Sequence, residues 1–455
     1  MRQADSTRAD SSAARLSLYQ PPPKSSRPTI LPPLVAPDTK PAAAGPTPVA
    51  ARTGDHLEIH RFLRNVFHGP SAAEFAAQLE APDYQPAQRL IVASGREIAA
   101  HVRLAPAEAR FGGATLPICT LMDLATALPL RKRGFAAALV AAAEKQAADA
   151  GAVLGCVRTT AVEFFVKRGW AVCGRHSFSL IDPCRLIAAI AEREAAAVRG
   201  GTLLKPIQPR QWRVRPFLRY DLPAAMRLEH SAREKDFGAH ERNAARWEWL
   251  LERKAFDAIF VAVDAERPDE VVGYLVACEG RIGELIVAEH ATGAAEKLLT
   301  HFCREALEAG VPAIRFDAAP DDPRHALIVA AGGKQYHEPV SGGEAYCVKA
   351  LDPQRLLEAT APVWRGAADE LTLEIQSGDE KQMWHLDGRS GRVTSGSGGC
   401  RLQLSAAQLA PLVLGGLTGR ALDLAAKNRR AAETAAAFFP PRPWYTPSWE
   451  QWTAR

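Results

Sequence analysis

The chain of 455 residues alternates between stretches with apolar residues at helical spacing and short, nearly continuous apolar runs. The first pattern predicts amphipathic helices, and the second predicts strands covered on both faces. Helices are predicted at 134–150, 187–198, 224–233, 245–251, 293–309, 405–414, 419–426 and 431–438. Strands are predicted as a pair within 89–103, then at 116–126, 153–157, 178–181, 214–218, 259–264, 271–278, 281–288, 313–316 and 346–350, followed by a four-strand meander between 371 and 404.

The order of strands and helices in the first part of the chain recurs in the second part, which predicts a repeat of topology. In the second part the strands at 313–316 and 346–350 are expected to close the sheet. Proline marks the first boundary, because ten of the 33 prolines fall in the first 50 residues. A segment of that composition buries too little apolar surface to fold. The predicted divisions are a disordered proline-rich tail (1–52), a first domain (53–184), a helical connector with a second domain (185–352), and a third domain (353–455).

Composition narrows the class of protein without identifying an activity. The chain is 47% hydrophobic and 24% charged, which excludes a wholly disordered chain and a bare coiled coil. The net charge of +5 is too small to indicate nucleic-acid binding, and no apolar run is long enough to predict a membrane span. The eight cysteines include no C-x-x-C pair, which indicates reduced thiols and no metal site. The polar N-terminus lacks the order of a secretory signal, so a cytoplasmic location is expected.

The strongest chemical signal is a basic turn between a predicted strand and the helix that follows it. The turn reads Arg131-Lys132-Arg133-Gly134, and Ala136 lies in the first helical turn. A helix N-terminus offers unpaired N–H groups and the positive end of its dipole, which is the arrangement that binds a pyrophosphate. Small residues there are expected to let the backbone approach the ligand, because a large side chain at Gly134 would clash. The turn has neither the Walker pattern nor three glycines, so it is not a P-loop or a dinucleotide fingerprint.

Two segments of the chain resemble motifs of one protein family, and they occur in the same order as in that family. R-x-x-G-x-A at 131–136 resembles the acyl-CoA loop of GNAT-type N-acetyltransferases, and F-F-V-K-R-G-W at 164–170 resembles that family's F-Y-x-x-x-G-F segment. The layout of the whole chain resembles the enhanced intracellular survival (Eis) acetyltransferases. This resemblance implies an α+β fold with two tandem GNAT-like mixed-sheet domains, the second without a cofactor site, followed by a sterol-carrier-like α+β domain.

The resemblance also implies an activity and a set of binding residues. The activity is transfer of an acetyl group from acetyl-CoA to a small amine, a polyamine, an aminoglycoside or a lysine side chain, in a homo-oligomer that binds neither nucleic acid nor membrane. Backbone groups of one strand end would pair with the pantetheine arm, the basic turn would hold the pyrophosphate, and the end of the next strand would lie beside the acyl arm. The residues that would pair with the pantetheine arm are Leu124, Ala125 and Thr126. Those that would hold the pyrophosphate are Arg131, Lys132, Arg133, Gly134, Phe135, Ala136 and Ala137, and those beside the acyl arm are Thr160 and Ala161.

The chain departs from the family pattern at the catalytic acid. The family's tyrosine aligns with Phe165, which has no proton to donate. The family's other catalytic group is the C-terminal carboxylate, which makes the carboxylate of Arg455 the remaining candidate. The departure leaves an alternative open, namely a non-catalytic acyl-CoA-binding regulatory protein. A lipid-binding role of the third domain is a further alternative.

Other polar residues are weaker candidates. A nucleophilic Cys156 or Cys173 would need a depressed pKa and a histidine such as His176, whereas packing thiols are the commoner case. Asp123 either faces a cationic amine or pairs with a basic residue of the turn. Three acidic residues on the first helices of the chain would border the predicted acceptor pocket, namely Asp55, Glu58 and Glu74. Three histidines lie nearby, His56, His60 and His68, but they lack the carboxylates of a metal site.

Overall fold

The computed structural model describes residues 46–95, 97–174, 176–199, 211–338, 340–341, 344–367, 369–447 and 449–452. Most of the predicted proline-rich tail and Arg455 lie outside these residues. Within them the fold is of the predicted α+β class with mixed sheets. No helix of the described chain is both long and apolar enough to cross a membrane.

The strands of the described chain follow one another in this order: β1 (Val49–Ala50), β2 (Arg89–Ser94), β3 (Glu97–Phe111), β4 (Ala114–Thr126), β5 (Leu154–Thr159), β6 (Ala171–Val172), β7 (His176–Ile181), β8 (Trp212–Pro216), β9 (Phe237–His240), β10 (Ala258–Asp264), β11 (Val271–Cys278), β12 (Arg281–Val287), β13 (Ile314–Asp317), β14 (Lys334–Glu338), β15 (Val340–Ser341), β16 (Glu344–Ala350), β17 (Glu370–Ser377), β18 (Glu380–Asp387), β19 (Arg392–Ser395) and β20 (Cys400–Ser405).

The helices are α1 (His56–Phe67), α2 (Ala72–Leu79), α3 (Phe135–Asp149), α4 (Val162–Val166), α5 (Pro183–Arg199), α6 (Leu222–Arg233), α7 (Ala244–Glu252), α8 (Ala294–Glu308), α9 (Pro323–Ala330), α10 (Pro353–Trp364), α11 (Ala406–Val413), α12 (Arg420–Ala425) and α13 (Arg429–Phe438). Polar side chains cap the N-termini of several of these helices. Ser71 accepts a hydrogen bond from the Glu74 amide at the start of α2, and Asn243 accepts one from the Arg246 amide at the start of α7.

The first sheet has the order β1-β2-β3-β4-β5-β16-β15, with β9 beside β3 and β6 beside β16. Strand β1 pairs with β2 from Val49 to Ala50, so the folded chain begins before the predicted end of the proline-rich tail at residue 52. Strands β4 and β5 run parallel, and α3 connects them and packs against the sheet. A parallel pair needs such a crossover, which agrees with the predicted strand–turn–helix order.

Two strands are exchanged between the first and second sheets. The second sheet has the order β14-β7-β13-β12-β11-β10-β8, so β7 leaves the first sheet and inserts between β13 and β14. In return, β16 pairs with β5 of the first sheet, from Ala345 beside Thr159 to Ala350 beside Leu154. The expectation that residues 346–350 close the second sheet is therefore wrong. Apolar alternation defines a strand but does not specify which sheet edge it joins.

The third sheet has the order β19-β18-β17-β20. The prediction of a simple meander is wrong at its last strand, because β20 pairs in parallel with β17 from Leu371 beside Cys400 to Gln376 beside Ser405. Helices α10, α11 and α13 cover this sheet, and its core merges with that of the first sheet through residues such as Phe111 and Leu116. The likeness to a sterol carrier stays a prediction.

The C-terminal segment from Trp444 to Trp452 runs along the first and second sheets. Trp444 lies in the core shared by the first and third sheets, and the Tyr445 amide donates a hydrogen bond to the Phe237 carbonyl. Further along, the indole of Trp449 is 1% exposed and donates a hydrogen bond of 2.8 Å to a carboxylate oxygen of Glu284. The segment therefore connects the core shared by the first and third sheets to the second sheet.

Replacing Trp449 by alanine should destabilise the second sheet. The indole packs 5.7 Å from the ring of Trp247 and hydrogen-bonds Glu284, so its loss leaves a cavity and a weakened buried carboxylate. A loss of roughly 3–5 kcal/mol is expected, seen as a lower midpoint of urea unfolding followed by tryptophan fluorescence. Leu424→Ala, at a residue 77% exposed, is the control and should shift stability by less than about 0.5 kcal/mol. Equal midpoints for the Trp449→Ala protein and the parent would contradict this packing.

Candidate active site

Strands β4 and β5 part before β4 ends. Their pairing runs from Ile118 beside Leu154 to Leu121 beside Val157, whereas β4 continues to Thr126 against β3 alone. The register of β3 and β4 shifts in this stretch, and Asp123 has a φ of 54°. Such a bulge bends the strand and turns backbone groups out of the ladder. The opened side of β4 therefore offers backbone hydrogen-bonding groups to an extended ligand.

The predicted pantetheine-pairing residues all lie in this unpaired end of β4. Ala125 is buried against α1 and α2, and Leu124 packs on the opposite side with the core beneath α3. Thr126 is half-buried, and its carbonyl accepts a hydrogen bond of 3.3 Å from Nε of Arg131. The strand end and the basic turn are thus joined directly.

The basic turn has the backbone of an anion-binding loop. Lys132 and Gly134 have φ values of 63° and 86°, and α3 begins at the next residue, Phe135. The amides of residues 132–137 donate no hydrogen bond within the described chain, and the first intrahelical donor is the amide of Ala138. Free N–H groups at a helix start, with two left-handed residues in the turn before it, form a concave site for an anion.

The charged side chains of the turn remain in solvent. Arg131, Lys132 and Arg133 are all exposed, and nothing in the described chain lies within 4 Å of a Cβ placed on Gly134. The expected clash at Gly134 is therefore absent from the protein itself. Glycine is favoured there because its φ of 86° strains any residue with a side chain.

The end of β5 lies across the opening. Thr160 and Ala161 are exposed, and the Ala161 amide donates a hydrogen bond of 2.9 Å to the hydroxyl of Thr159. Helix α4 begins at the next residue, Val162. All the predicted binding residues are thus at the edges of β4 and β5 or at the start of α3.

Phe165 does not face the opening. Its ring is 1% exposed and lies 5.4 Å from the ring of Trp170 at an angle of 78°. Phe164 is the half-buried member of the pair, and the guanidinium of Arg168 lies 3.7 Å above its ring. Phe165 is therefore a core residue as well as one without a proton to donate.

The thiols near the site are packing groups. Burial raises the pKa of both Cys156 and Cys173 to about 12, so neither forms the thiolate that a nucleophile needs. His176 instead hydrogen-bonds the Glu344 carbonyl at 3.1 Å. None of the eight cysteines forms a disulfide, and Cys184 is exposed.

Asp123 pairs with two arginines that the sequence analysis did not single out. A carboxylate oxygen lies 2.9 Å from Nε of Arg103 and 3.9 Å from a nitrogen of Arg89, so the pairing with Arg131 or Arg133 does not occur. Burial raises the pKa of Asp123, but the arginine charges outweigh it and hold this pKa below its ordinary value. The signal was available, since Arg89 and Arg103 flank the predicted strand pair.

His101 completes the buried network. Its Nδ1 lies 3.0 Å from the Asp123 carbonyl, which fixes Nδ1 as the donor, and Nε2 accepts from Arg89 at 3.4 Å. The imidazole is therefore neutral. Burial, together with the charge of Arg89, lowers the pKa of His101 to about 4.

The histidines of α1 serve structural contacts. His56 hydrogen-bonds the Tyr84 hydroxyl at 2.9 Å, and Nε2 of His60 lies 3.0 Å from the Pro70 carbonyl. His68 is exposed at the end of α1. No group of three or more metal-binding side chains occurs in the described part of the chain.

The second sheet has a matching parallel strand pair. Gly293 starts α8 with a φ of 85°, so the turn repeats the geometry of Gly134. Strands β12 and β13 pair only from Arg281 to Ile282. Beyond that point a Cβ on Gly283 would lie 2.5 Å from the ring of Trp452. The C-terminal segment therefore packs on β12 at the point where the two strands part.

Comparison with known proteins gives a likeness for the domain that carries the site. Residues 49–173 match the model of the acetyltransferase (GNAT) domain. No curated protein matches the chain in sequence.

Solved structures extend the likeness to nearly the whole fold. A GCN5-related N-acetyltransferase from Kribbella flavida is 18% identical, with a TM-score of 0.67, over 88% of this chain and 97% of that one. Eis1 from Mycobacterium abscessus is 16% identical, with a TM-score of 0.62, over 87% of this chain and 98% of that one. A probable N-acyltransferase from Enterococcus faecalis V583 is 13% identical, with a TM-score of 0.68, over 88% and 97%. At these identities the likeness establishes a shared fold.

Replacing Phe165 by tyrosine should not create a catalytic acid. Because the ring is 1% exposed and points into the core, the added hydroxyl would be buried there, at a cost of roughly 1–3 kcal/mol if it finds no partner. Turnover of acetyl-CoA should stay the same and the unfolding midpoint should fall. Phe164→Tyr, in the half-buried neighbour, is the matched control. A gain in turnover for Phe165→Tyr alone would show that the ring reaches the reacting groups.

The pH dependence of stability should carry the signature of His101. Its folded pKa of about 4 lies below the ordinary 6.5, so its contribution is complete above pH 6.5 and is lost as the pH falls toward 4. The loss is about 3 kcal/mol. His101→Gln should therefore flatten the fall of the urea midpoint between pH 6.5 and pH 4, whereas His290→Gln, at an exposed residue, should leave it unchanged. A parallel fall in all three proteins would contradict the buried neutral state.

Proposed function

We propose that this protein is an acetyl-CoA-dependent N-acetyltransferase that transfers the acetyl group directly to a primary amine. One observation carries the proposal: the unpaired end of β4 runs into a turn whose amides at 132–137 have no acceptor within the described chain. The two features together suit a ligand with a pyrophosphate at one end and an extended amide-containing arm at the other. They lie in the residues that match the GNAT acetyltransferase domain.

Three parts of acetyl-CoA have a matching group: the pyrophosphate, the pantetheine arm and the acyl end. The amides of Lys132–Ala137 hold the pyrophosphate, with charge from Arg131 and Arg133. The backbone of Leu124–Thr126 pairs with the pantetheine amides in the manner of an added strand. Thr160 and Ala161 border the acyl arm from the other strand.

The reaction needs little from side chains. The amine nitrogen attacks the thioester carbonyl carbon, the C–S bond breaks, and CoA leaves as a thiolate that takes up a proton, while the amine loses a proton to water. A backbone N–H near Thr126 polarises the carbonyl oxygen. Asp123 is a poor base because its arginine partners lower its pKa. The carboxylate of Arg455 stays a prediction for proton transfer.

The acceptor classes suggested by the resemblance are small amines, polyamines, aminoglycosides and lysine side chains. A homo-oligomer without nucleic-acid or membrane binding likewise stays a prediction. The third domain gives no support to lipid binding, because α11 buries Leu409 to Val413 in the core shared with the first sheet. The buried Phe165 favours a second candidate, a regulatory protein that binds acyl-CoA without turning it over.

Arg133→Glu should weaken acetyl-CoA binding without unfolding the protein. Arg133 is exposed and has no partner to lose within the described residues, but its replacement puts a negative charge beside the pyrophosphate. A loss of about tenfold or more is expected, equal to about 1.4 kcal/mol, measured by isothermal titration calorimetry. The same titration of the parent should give one site per chain, because the corresponding turn at 288–293 has no arginine or lysine.

Lys145→Glu changes the charge equally at the far end of α3 and should bind like the parent. Free thiol release from acetyl-CoA with the four amine classes then separates the two candidates. Release above the amine-free rate supports the enzyme, and tight binding without release from any amine leaves the regulatory protein. Equal affinity of Arg133→Glu and the parent would refute the binding site itself.

A further inference from the structure

Arginines from both halves of the chain gather beside the bulge of β4. Arg89 and Arg103 hold Asp123 from the first sheet. Arg246 and Arg253, at the start and the end of α7, approach from the second half. The charge of Arg103 acts on both of them and contributes to lowering their pKa. These four side chains are named the arginine cluster.

Helix α2 places the two pairs together. Gln78 of α2 accepts a hydrogen bond of 2.8 Å from Arg89, and the carbonyl of Ala77 accepts one of 2.7 Å from the indole of Trp249. The guanidinium groups of Arg246 and Arg253 lie 4.3 and 4.6 Å from that same indole. Trp249 is therefore a platform that fixes two cations beside α2, on the side of the sheet where Asp123 lies.

The four arginines of the cluster face three carboxylates, those of Asp123, Glu74 and Glu450, which leaves one positive charge in excess. Asp123 is matched by two arginines, and the nearest carboxylate of Arg246 is Glu450 at 3.8 Å, beyond hydrogen-bond distance. Glu450 already pairs with Arg242 at 2.7 Å. Arg253 donates to two backbone carbonyls, those of Glu450 and Trp452, and its buried Nε has no acceptor in the described chain.

Burial makes the excess positive charge of the arginine cluster energetically unfavourable. It lowers the pKa of Arg253 to about 10, and repulsion from Arg246 and Arg103 adds to the shift against the attraction of Glu74. Burial also lowers the pKa of Arg246 and of Arg89. Buried cations in this state gain from an added anion, and a guanidinium fork suits a carboxylate, which it binds through two parallel hydrogen bonds.

The position of the cluster relates this anion to the proposed reaction. Arg103 lies directly across from Met122, and Asp123 at the bulge immediately precedes Leu124–Thr126. At about 3.3 Å per strand residue, the cluster is one or two residues from the strand end that would hold the thioester. An anion bound there belongs to the acceptor, because the pyrophosphate turn lies further along, at 131–137.

We propose that the arginine cluster binds a carboxylate of the acceptor, so that the acetylated amine belongs to an amino acid or a similar carboxylate-bearing amine. This inference rests on the proposed acetyltransferase activity and narrows its acceptor class. It disfavours polyamines and aminoglycosides, whose positive charges would meet Arg246 and Arg253 without a free carboxylate to pair with.

Matched acceptors test the proposal on the full chain. Thiol release from acetyl-CoA is measured with L-amino acids, with the corresponding amino-acid amides, with spermidine and with kanamycin. The amino acids should show kcat/KM about tenfold or more above their amides, and the polycations should be poorer still. Because the full chain is used, any contribution of the last three residues is present in every arm.

Variants show whether the cluster causes the preference. Arg253→Gln should lower kcat/KM for the amino acids and leave the amides unchanged, and Arg253→Lys should retain part of the preference. Arg219→Gln, on the exposed side of the same half, is the control and should behave like the parent. Unfolding midpoints identify a variant that has lost its fold.

Each outcome decides a separate claim. Equal rates for acids and amides, a preference for polycations, or an equal loss on both acceptors in Arg253→Gln would overturn the carboxylate site and leave the acetyltransferase intact. If none of the acceptors leads to thiol release, the proposed acetyltransferase activity is overturned. Calorimetry with N-acetyl amino acids in the presence of CoA needs no turnover, and affinity equal to that of their amides would overturn the carboxylate site on its own.

Discussion

The reciprocal exchange of β7 and β16 is the constraint on which the rest of the fold depends. A buried strand edge must find hydrogen-bond partners, and β5 finds them in β16, which belongs to the second half of the sequence. This pairing holds the end of β5 while its other neighbour, β4, turns away. The opening between β4 and β5 is therefore supported by both halves of the chain, and so is the site at its edges.

The two halves of the chain share an arrangement of strands and helices, but they differ where their parallel strands part. Both contain a parallel strand pair that parts, and a helix started by a glycine with φ near 85°, Gly134 in one and Gly293 in the other. In the first half the turn is basic, and no described strand pairs with the end of β4 on the side of β5. In the second half Trp449 and Trp452 pack on β12 where the strands part, beside the buried Glu284. The two copies of the fold thus differ at the same position.

The local pattern was sufficient to predict most elements, including the pyrophosphate turn, because periodicity, glycine and basic residues act over a few neighbours. It did not predict the exchange of β16 or the parallel return of β20, since apolar alternation does not specify a partner. For Asp123 it left open an approach to the amine or a pairing with Arg131 or Arg133, which are close in sequence. Arg103 is its partner because the ladder of β3 and β4 brings them together, and Phe165 faces the core for reasons of packing that a motif does not contain.

The central claim is that one opening, and not its copy, binds acetyl-CoA. Amide hydrogen exchange with and without acetyl-CoA tests it most directly, because the amides of 132–137 donate no hydrogen bond within the described chain. The account predicts slower exchange at 124–126 and 132–137 on addition of acetyl-CoA, with no change at 283–297. Unchanged exchange at 132–137, or equal protection of both segments, would contradict it.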